Sequence, residues 1–401
     1  MATVETVSVG VWLDVGARDE DPRTSGITHL LEHMVFKGTS RRSARAIAEE
    51  IEAVGGHLNA HTSREHTAFY AKVLKDDLAL AVDLIADIVQ NARLDPDDLD
   101  RERTVILQEI MQALDTPDDI IFDRFQETAF PGQALGRSIL GSPDRIRDML
   151  RDDLVEYLHR HYAATRMVLA AAGNVEHAAL VALAERAFAA LPAGTSPVRE
   201  PASYVGGDWR DERDLEQIHI ILGFEGVSFR DPDFYALSVL STVLGGGMSS
   251  RLFQEVRENR GLVYSIYSFP TSFVDGGLFG VYAGTGETEI EEVVPLVCAE
   301  IVKIGQEVGM EELVRARAQL KASILMSLES TSARCDQLAR QLLVFGRPLP
   351  PREVVAQIEA VDVDALLRVA RRLVAAPPTI TALGPVARME GYDRLATRFG
   401  P

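Results

Sequence analysis

His29, Glu32 and His33 are the residues in this chain whose types and spacing most directly suggest chemistry. They lie in Gly26-Ile27-Thr28-His29-Leu30-Leu31-Glu32-His33-Met34-Val35-Phe36. On a helix, side chains four residues apart share a face with roughly 5–6 Å between their Cβ atoms. Two imidazoles so placed can converge on one ion at a metal–nitrogen distance of roughly 2.0–2.1 Å. Glu32 falls one residue before the second imidazole, close to such an ion yet free to handle a proton. That is the part of a general base in metal-assisted hydrolysis. The pentapeptide alone also fits a surface helix with two ordinary histidines, so two further conditions decide.

The segment must be helical, and a third ligand must come from elsewhere, because a catalytic zinc takes three protein ligands and leaves one position open. Ile27, Leu30, Leu31 and Met34 recur at helical spacing, with Ser25 as the expected N-cap and Gly38 as the expected stop. A second helical stripe runs through Leu99, Glu102, Ile106 and Glu109. Two carboxylates interrupt an apolar face there. Buried, unpaired carboxylates cost several kcal/mol, so such groups are paired or bind metal. The alternative for both is an inward-turned arginine, Arg101 or Arg103.

With these residues in place, the chain resembles the pitrilysin (insulinase) class of zinc metallopeptidases. The likeness is to the single-repeat branch that includes mitochondrial processing peptidase and its bacterial relatives. The matching stretches follow in order: Asp14 to Glu20, His29 to Thr39 (HLLEHMVFKGT), Gly55 to Ala60, Thr62 to Glu65, and Glu102 to Ile110 (ERTVILQEI). The resemblance implies one Zn2+ per chain, held by His29, His33 and Glu109. It makes Glu32 the base and Glu102 a carboxylate that orients the ligands. It also implies a peptide substrate added as a strand at Asn59 and Ala60, with Phe36 packing on the residue after the cut. Asp119 and Asp123, four apart, resemble an acidic pair that reads an arginine before the cut. Arg257 and Tyr264, seven apart, resemble a pair that holds the peptide and stabilises the transition state. Read without the resemblance, these last four are a solvated acidic loop, a helix arginine and a strand aromatic. His61, His66, His159, His161, His177 and His219 read as structural or surface residues, although relatives often carry an aromatic at position 61.

Composition narrows the setting. The chain has 401 residues, 46% hydrophobic and 25% charged, long enough to bury more than one ordinary core. A formal charge of −19 argues against nucleic acid as a partner and suits an enzyme that attracts cationic peptides. Cys298 and Cys335 make no disulfide framework. No apolar run reaches the roughly 18 residues of a membrane span. The N-terminal Met1-Ala2-Thr3-Val4-Glu5 has neither a basic region nor an apolar signal segment, so a cytoplasmic location is expected. Relatives carry a leading segment with a strand ahead of Thr6, and it is expected to be missing here.

The elements fall into two halves. The breaker-rich stretch at 191–211 reads as a linker between residues 1–190, which bear the metal, and residues 212–401. Each half shows a strand, a helix and then a second helix. Aligning Leu99 with Leu313 puts Ala316 opposite Glu102 and Ser323 opposite Glu109. The expected fold is therefore α+β. It has two structurally duplicated α/β-sandwich domains, each a mainly antiparallel sheet covered by helices, which together form half of a clamshell. A homodimer would complete the clamshell, with Arg257 and Tyr264 acting on the partner's zinc. Two rival readings remain: a non-catalytic scaffold, and one subunit of a heterodimeric processing peptidase.

Overall fold

The computed structural model describes residue 1 and residues 3–195 and 198–400. It divides into two compact units, each built of helices on a largely antiparallel sheet. The first comprises Met1–Gln112, Arg137–Glu200 and Met326–Leu349. Its strands are β1 (Thr6–Leu13), β2 (His57–Thr62), β3 (Thr67–Leu74) and β4 (Met167–Gly173), in the antiparallel order β2-β3-β1-β4. β2 is thus an edge strand, and β1 is buried on both faces after its first residue.

That double burial requires a cover on each side of the sheet. The helix Leu78–Asn91 packs on β1 and β3, with Ala81, Leu84, Ile85 and Ile88 buried. The face of Trp12 meets the helix Thr331–Phe345, which closes over Ala68, Ala170 and Ala172 with Cys335 and Ala339. Its polar contacts are fixed as well: Trp12 Nε1 donates to Asp336 Oδ1 at 3.1 Å, and Cys335 Sγ donates to the Ala170 carbonyl at 3.2 Å.

The second unit comprises Ala113–Gly136, Pro201–Leu325 and the chain from Pro350 onward. Its strands are β5 (Gly207–Glu212), β6 (Ile218–Glu225), β7 (Val263–Ser272), β8 (Gly277–Thr285) and β9 (Thr379–Gly384), in the order β5-β9-β6-β8-β7. Only β5 on β9 is parallel. The helix Pro117–Ala129 packs on β5, β6 and β9 and buries Ile121, Phe125 and Ala129 against Ile221, Leu278 and Leu383. Gly223 is required here, since a Cβ would lie 2.4 Å from the Phe125 ring and 2.5 Å from the Phe279 carbonyl oxygen.

The duplicated α+β architecture agrees with the expectation, since β7-β8-β6-β9 repeats β2-β3-β1-β4. The contiguous division does not. The chain from Ala113 to Gly136 belongs with the second unit, and the chain from Met326 to Leu349 with the first. The physical reason is that each sheet has two apolar faces, and each half of the chain supplies a helix to the sheet of the other. The expected linker at 191–211 also ends early, because Gly207–Glu212 is β5. Within that linker, Ser196 and Pro197 lie outside the described residues. Among the described residues no helix is long and apolar enough to cross a membrane.

Candidate metal centre

The helix Ile27–Val35 carries both histidines. Ile27, Leu30, Leu31, Met34 and Val35 are buried and anchor it. Ser25 is not its cap. Gly26 occupies that position with φ 95°, and the acceptor is the distant Glu20, whose carboxylate takes the N–H of Gly26 at 2.8 Å and of Thr28 at 3.0 Å. A negative group suits the exposed N–H groups of a helix start. Burial pushes the Glu20 carboxyl up to about 7, against the pull of those two hydrogen bonds.

Glu102 and Glu109 sit on the helix Pro96–Leu114, held by buried Leu99, Ile106 and Ile110. Glu109 Oε2 lies 3.7 Å from His29 Nε2 and 3.7 Å from His33 Nε2. The three side chains each offer a ligand atom, all within 4.8 Å of one another, and among the described residues no other group of three or more does so. Ligands bonded tetrahedrally at zinc distances lie roughly 3.4 Å apart, close to the 3.7 Å from Glu109 to each imidazole, so the trio can close on one ion by small side-chain movements.

The electrostatics agree with that fit. Burial pushes the His29 imidazole down to about 4, and the neighbouring His33 adds to the effect. His29 is therefore neutral near pH 7, with a lone pair to give. Its Nδ1 is buried with no hydrogen-bond partner among the described residues. His33 Nδ1 lies 3.1 Å from Glu102 Oε2, while Lys37 Nζ binds Glu102 Oε1 at 2.7 Å. A carboxylate at Nδ1 draws the ring proton there and leaves Nε2 bare for a metal. Arg101 and Arg103 pair instead with Asp98 and Asp100, so the arginine alternative for the two glutamates falls away.

Glu32 Oε2 accepts the Thr62 hydroxyl at 2.5 Å. Burial holds its carboxyl above the usual range, opposed by Thr62 and His33 and reinforced by the charge of Glu109. Nearby Tyr162 is buried, its hydroxyl finds no partner among the described residues, and burial and the Glu32 charge raise its pKa. Lys37 and Thr62 fall within the matching stretches His29 to Thr39 and Thr62 to Glu65, but the sequence assigns neither a role. Lys37 stands one turn beyond His33, and Thr62 opens a matching stretch, but neither position says what the side chain touches.

Of the expected substrate residues, Phe36, Asn59 and Ala60 lie in the same unit. Phe36 is 6.3 Å from the Phe69 ring centroid and lines a cavity of about 330 Å³ with Ile47, Ile51, Leu58 and Asn59. On the edge strand β2, Asn59 Oδ1 accepts the Ala60 N–H at 2.8 Å. The remaining four belong to the second unit. Asp119 is exposed and Asp123 half-buried, one turn apart on Pro117–Ala129. Arg257 lies in a π-helical stretch, Phe253–Glu258, with its guanidinium 4.6 Å from the Phe253 ring and 5.7 Å from the Tyr264 ring. The Tyr264 side chain is 76% exposed. Cys298 and Cys335 are buried free thiols.

The chain is similar over nearly its full length to known proteins. It is 40% identical to a probable mitochondrial-processing peptidase subunit beta of Arabidopsis thaliana, over 99% of this chain and 77% of that protein. It is also 40% identical to an uncharacterized zinc protease of Streptomyces coelicolor, over 100% of this chain and 88% of that one. Its fold matches a chain of Inz-5-bound complex III2 from Candida albicans with a TM-score of 0.89 at 22% identity, covering 100% of this chain and 95% of that one. It matches a protease from Helicobacter pylori with a TM-score of 0.87 at 25% identity, covering 95% and 94%. Residues 1–143 match the insulinase family model and residues 148–320 the peptidase M16 inactive domain. The chain belongs to the insulinase family, peptidase family M16.

Proposed function

We propose that this protein is a zinc-dependent endopeptidase acting on peptides or unfolded, presequence-like segments, with a preference for basic residues near the cut. One observation carries the reading: His29, His33 and Glu109 meet with a neutral imidazole, an oriented imidazole and a carboxylate, the donor set that zinc hydrolases use. When bound, zinc supplies a Lewis acid that polarises the scissile carbonyl and makes water reactive near pH 7. The intact donor set speaks against a purely scaffolding role.

The side chains do the rest. Glu32 takes a proton from the attacking water and returns it to the leaving amine. Glu102, braced by Lys37, keeps the His33 ring turned toward the ion. The outer edge of β2 accepts the peptide through main-chain bonds that read no sequence. Phe36 faces the side chain after the cut. Arg257 and Tyr264 steady the peptide and the developing oxyanion. Asp119 and Asp123 suit a guanidinium, and the net charge of −19 draws basic peptides in.

The test is Glu32→Gln. It should keep its zinc and lose about 10²–10⁴-fold in turnover of a quenched basic peptide, since it deletes only the base. Cleavage near the wild-type rate would remove Glu32 from that role.

A further inference from the structure

We infer that Thr62 is a positioning residue for this hydrolysis: its hydroxyl locks the Glu32 carboxylate through Oε2 and leaves Oε1 as the oxygen that takes and returns the proton. The inference rests on the proposed peptidase reading and deepens it.

Thr62 is the last residue of β2 and pairs with Thr67 of β3. Thr67 is itself fixed, since its hydroxyl donates to the Val15 carbonyl at 2.9 Å in a fully buried position. The strand end that carries Thr62 is therefore anchored to the sheet. A β-branched side chain has few χ1 choices, so an anchored threonine presents its hydroxyl in a set direction. Its proton goes to Glu32 Oε2 at 2.5 Å, a short, charge-assisted bond. Left alone, a glutamate χ3 torsion is broad and nearly two-fold. The Thr62 bond removes that freedom.

The bond also divides labour between the two carboxylate oxygens. Accepting the Thr62 hydroxyl lowers the basicity of Oε2, so Oε1 is the more basic oxygen for the incoming proton. In the first half of the reaction a water O–H bond breaks, its oxygen bonds the carbonyl carbon, and the proton moves to Oε1. In the second half the carbon–nitrogen bond breaks, the same proton passes to the amine nitrogen, and Glu32 is again a carboxylate.

The placement has a further consequence. Side chains alternate along a strand, so Thr62 shares a face of β2 with Ala60, while His61 points to the other face and meets His66. Asn59 and Ala60, the expected docking residues, are thus two or three positions from the residue that holds the base. Peptide docking and base alignment belong to one strand.

The test compares wild type with Thr62→Val, Thr62→Ser and Glu32→Gln in chelator-sensitive peptide cleavage, with bound zinc and melting temperature measured on each. Thr62→Val, close in shape but without a donor, should lose about 10- to 100-fold in kcat with KM and zinc unchanged. Thr62→Ser, which keeps the donor but loses the branched χ1 restriction, should fall between wild type and Thr62→Val. A Thr62→Val kcat within about twofold of wild type would overturn the inference. So would a Thr62→Ser as slow as Thr62→Val, or a loss traced to missing zinc. If Glu32→Gln is inactive in those cases, only Thr62 loses its role. If wild type shows no chelator-sensitive cleavage, both the inference and the peptidase reading fail.

Discussion

Three imidazoles, His29 and His161 buried and His66 half-buried, govern how the zinc-free protein responds to acid. Burial lowers His29 to about 4, His66 to about 3 and His161 to about 4, with neighbouring positive charge adding to each. A free imidazole titrates near 6.5. The unfolded chain therefore binds more protons than the folded one between those values. The stability these groups contribute is complete above about 6.5 and lost as pH falls toward 4. Glu20 works the other way: raised to about 7, it contributes most below its unfolded value near 4.5 and loses that contribution as pH rises through 7. Three groups outweigh one, so the melting temperature of the zinc-free protein should drop by several degrees from pH 7 to pH 5. A flat or rising profile in calorimetry would contradict this. At this scale the residues of the candidate metal site were legible because helical spacing announced them: His29 with His33, and Glu102 with Glu109. Thr62 and Lys37 were not, because a threonine at a strand end or a lysine after a helix acquires meaning only from what it touches across the fold.

The elements show what local pattern can and cannot convey. Ile27 to Val35 is a helix because its apolar residues recur at the right spacing, yet its start depends on Glu20, six residues before Gly26 and beyond the reach of capping rules. The segment at Asp119 and Asp123, which reads as an acidic loop, is instead the helix Pro117–Ala129, with a buried stripe of Ile121, Phe125 and Ala129. That stripe does not say which sheet it covers. Its place on β6 follows from the glycine at 223, whose missing side chain admits the Phe125 ring. β5 was hidden by its charges: Asp208, Arg210 and Asp211 look like linker, although Trp209 packs toward the second core. Trp209 is half-buried against that core, and its apolar contact holds a strand whose other side chains are polar.

At the scale of the whole chain, duplication has left a candidate metal-ligand set in one unit only among the described residues. The helix Met310–Ser327 corresponds to the ligand helix, with buried Ala316 in place of Glu102 and exposed Ser323 in place of Glu109. We propose that the second unit supplies Arg257 and Tyr264 to a partner copy within a homodimer. Mixing His33→Ala with Tyr264→Phe chains should then recover about a quarter of wild-type activity, since half of randomly re-paired dimers carry one intact site. Inactivity of the mixture after demonstrated subunit exchange would sink that arrangement.

The proposed hydrolysis depends on a single zinc held by two imidazoles and one carboxylate. That ligation is tested most directly by anomalous scattering at the zinc absorption edge from crystals of the zinc-loaded, active protein. One strong peak per chain is expected, about 2.0–2.2 Å from Nε2 of His29, Nε2 of His33 and a carboxylate oxygen of Glu109. A peak lodged elsewhere, or none beside those three groups in protein that still cleaves, would contradict it.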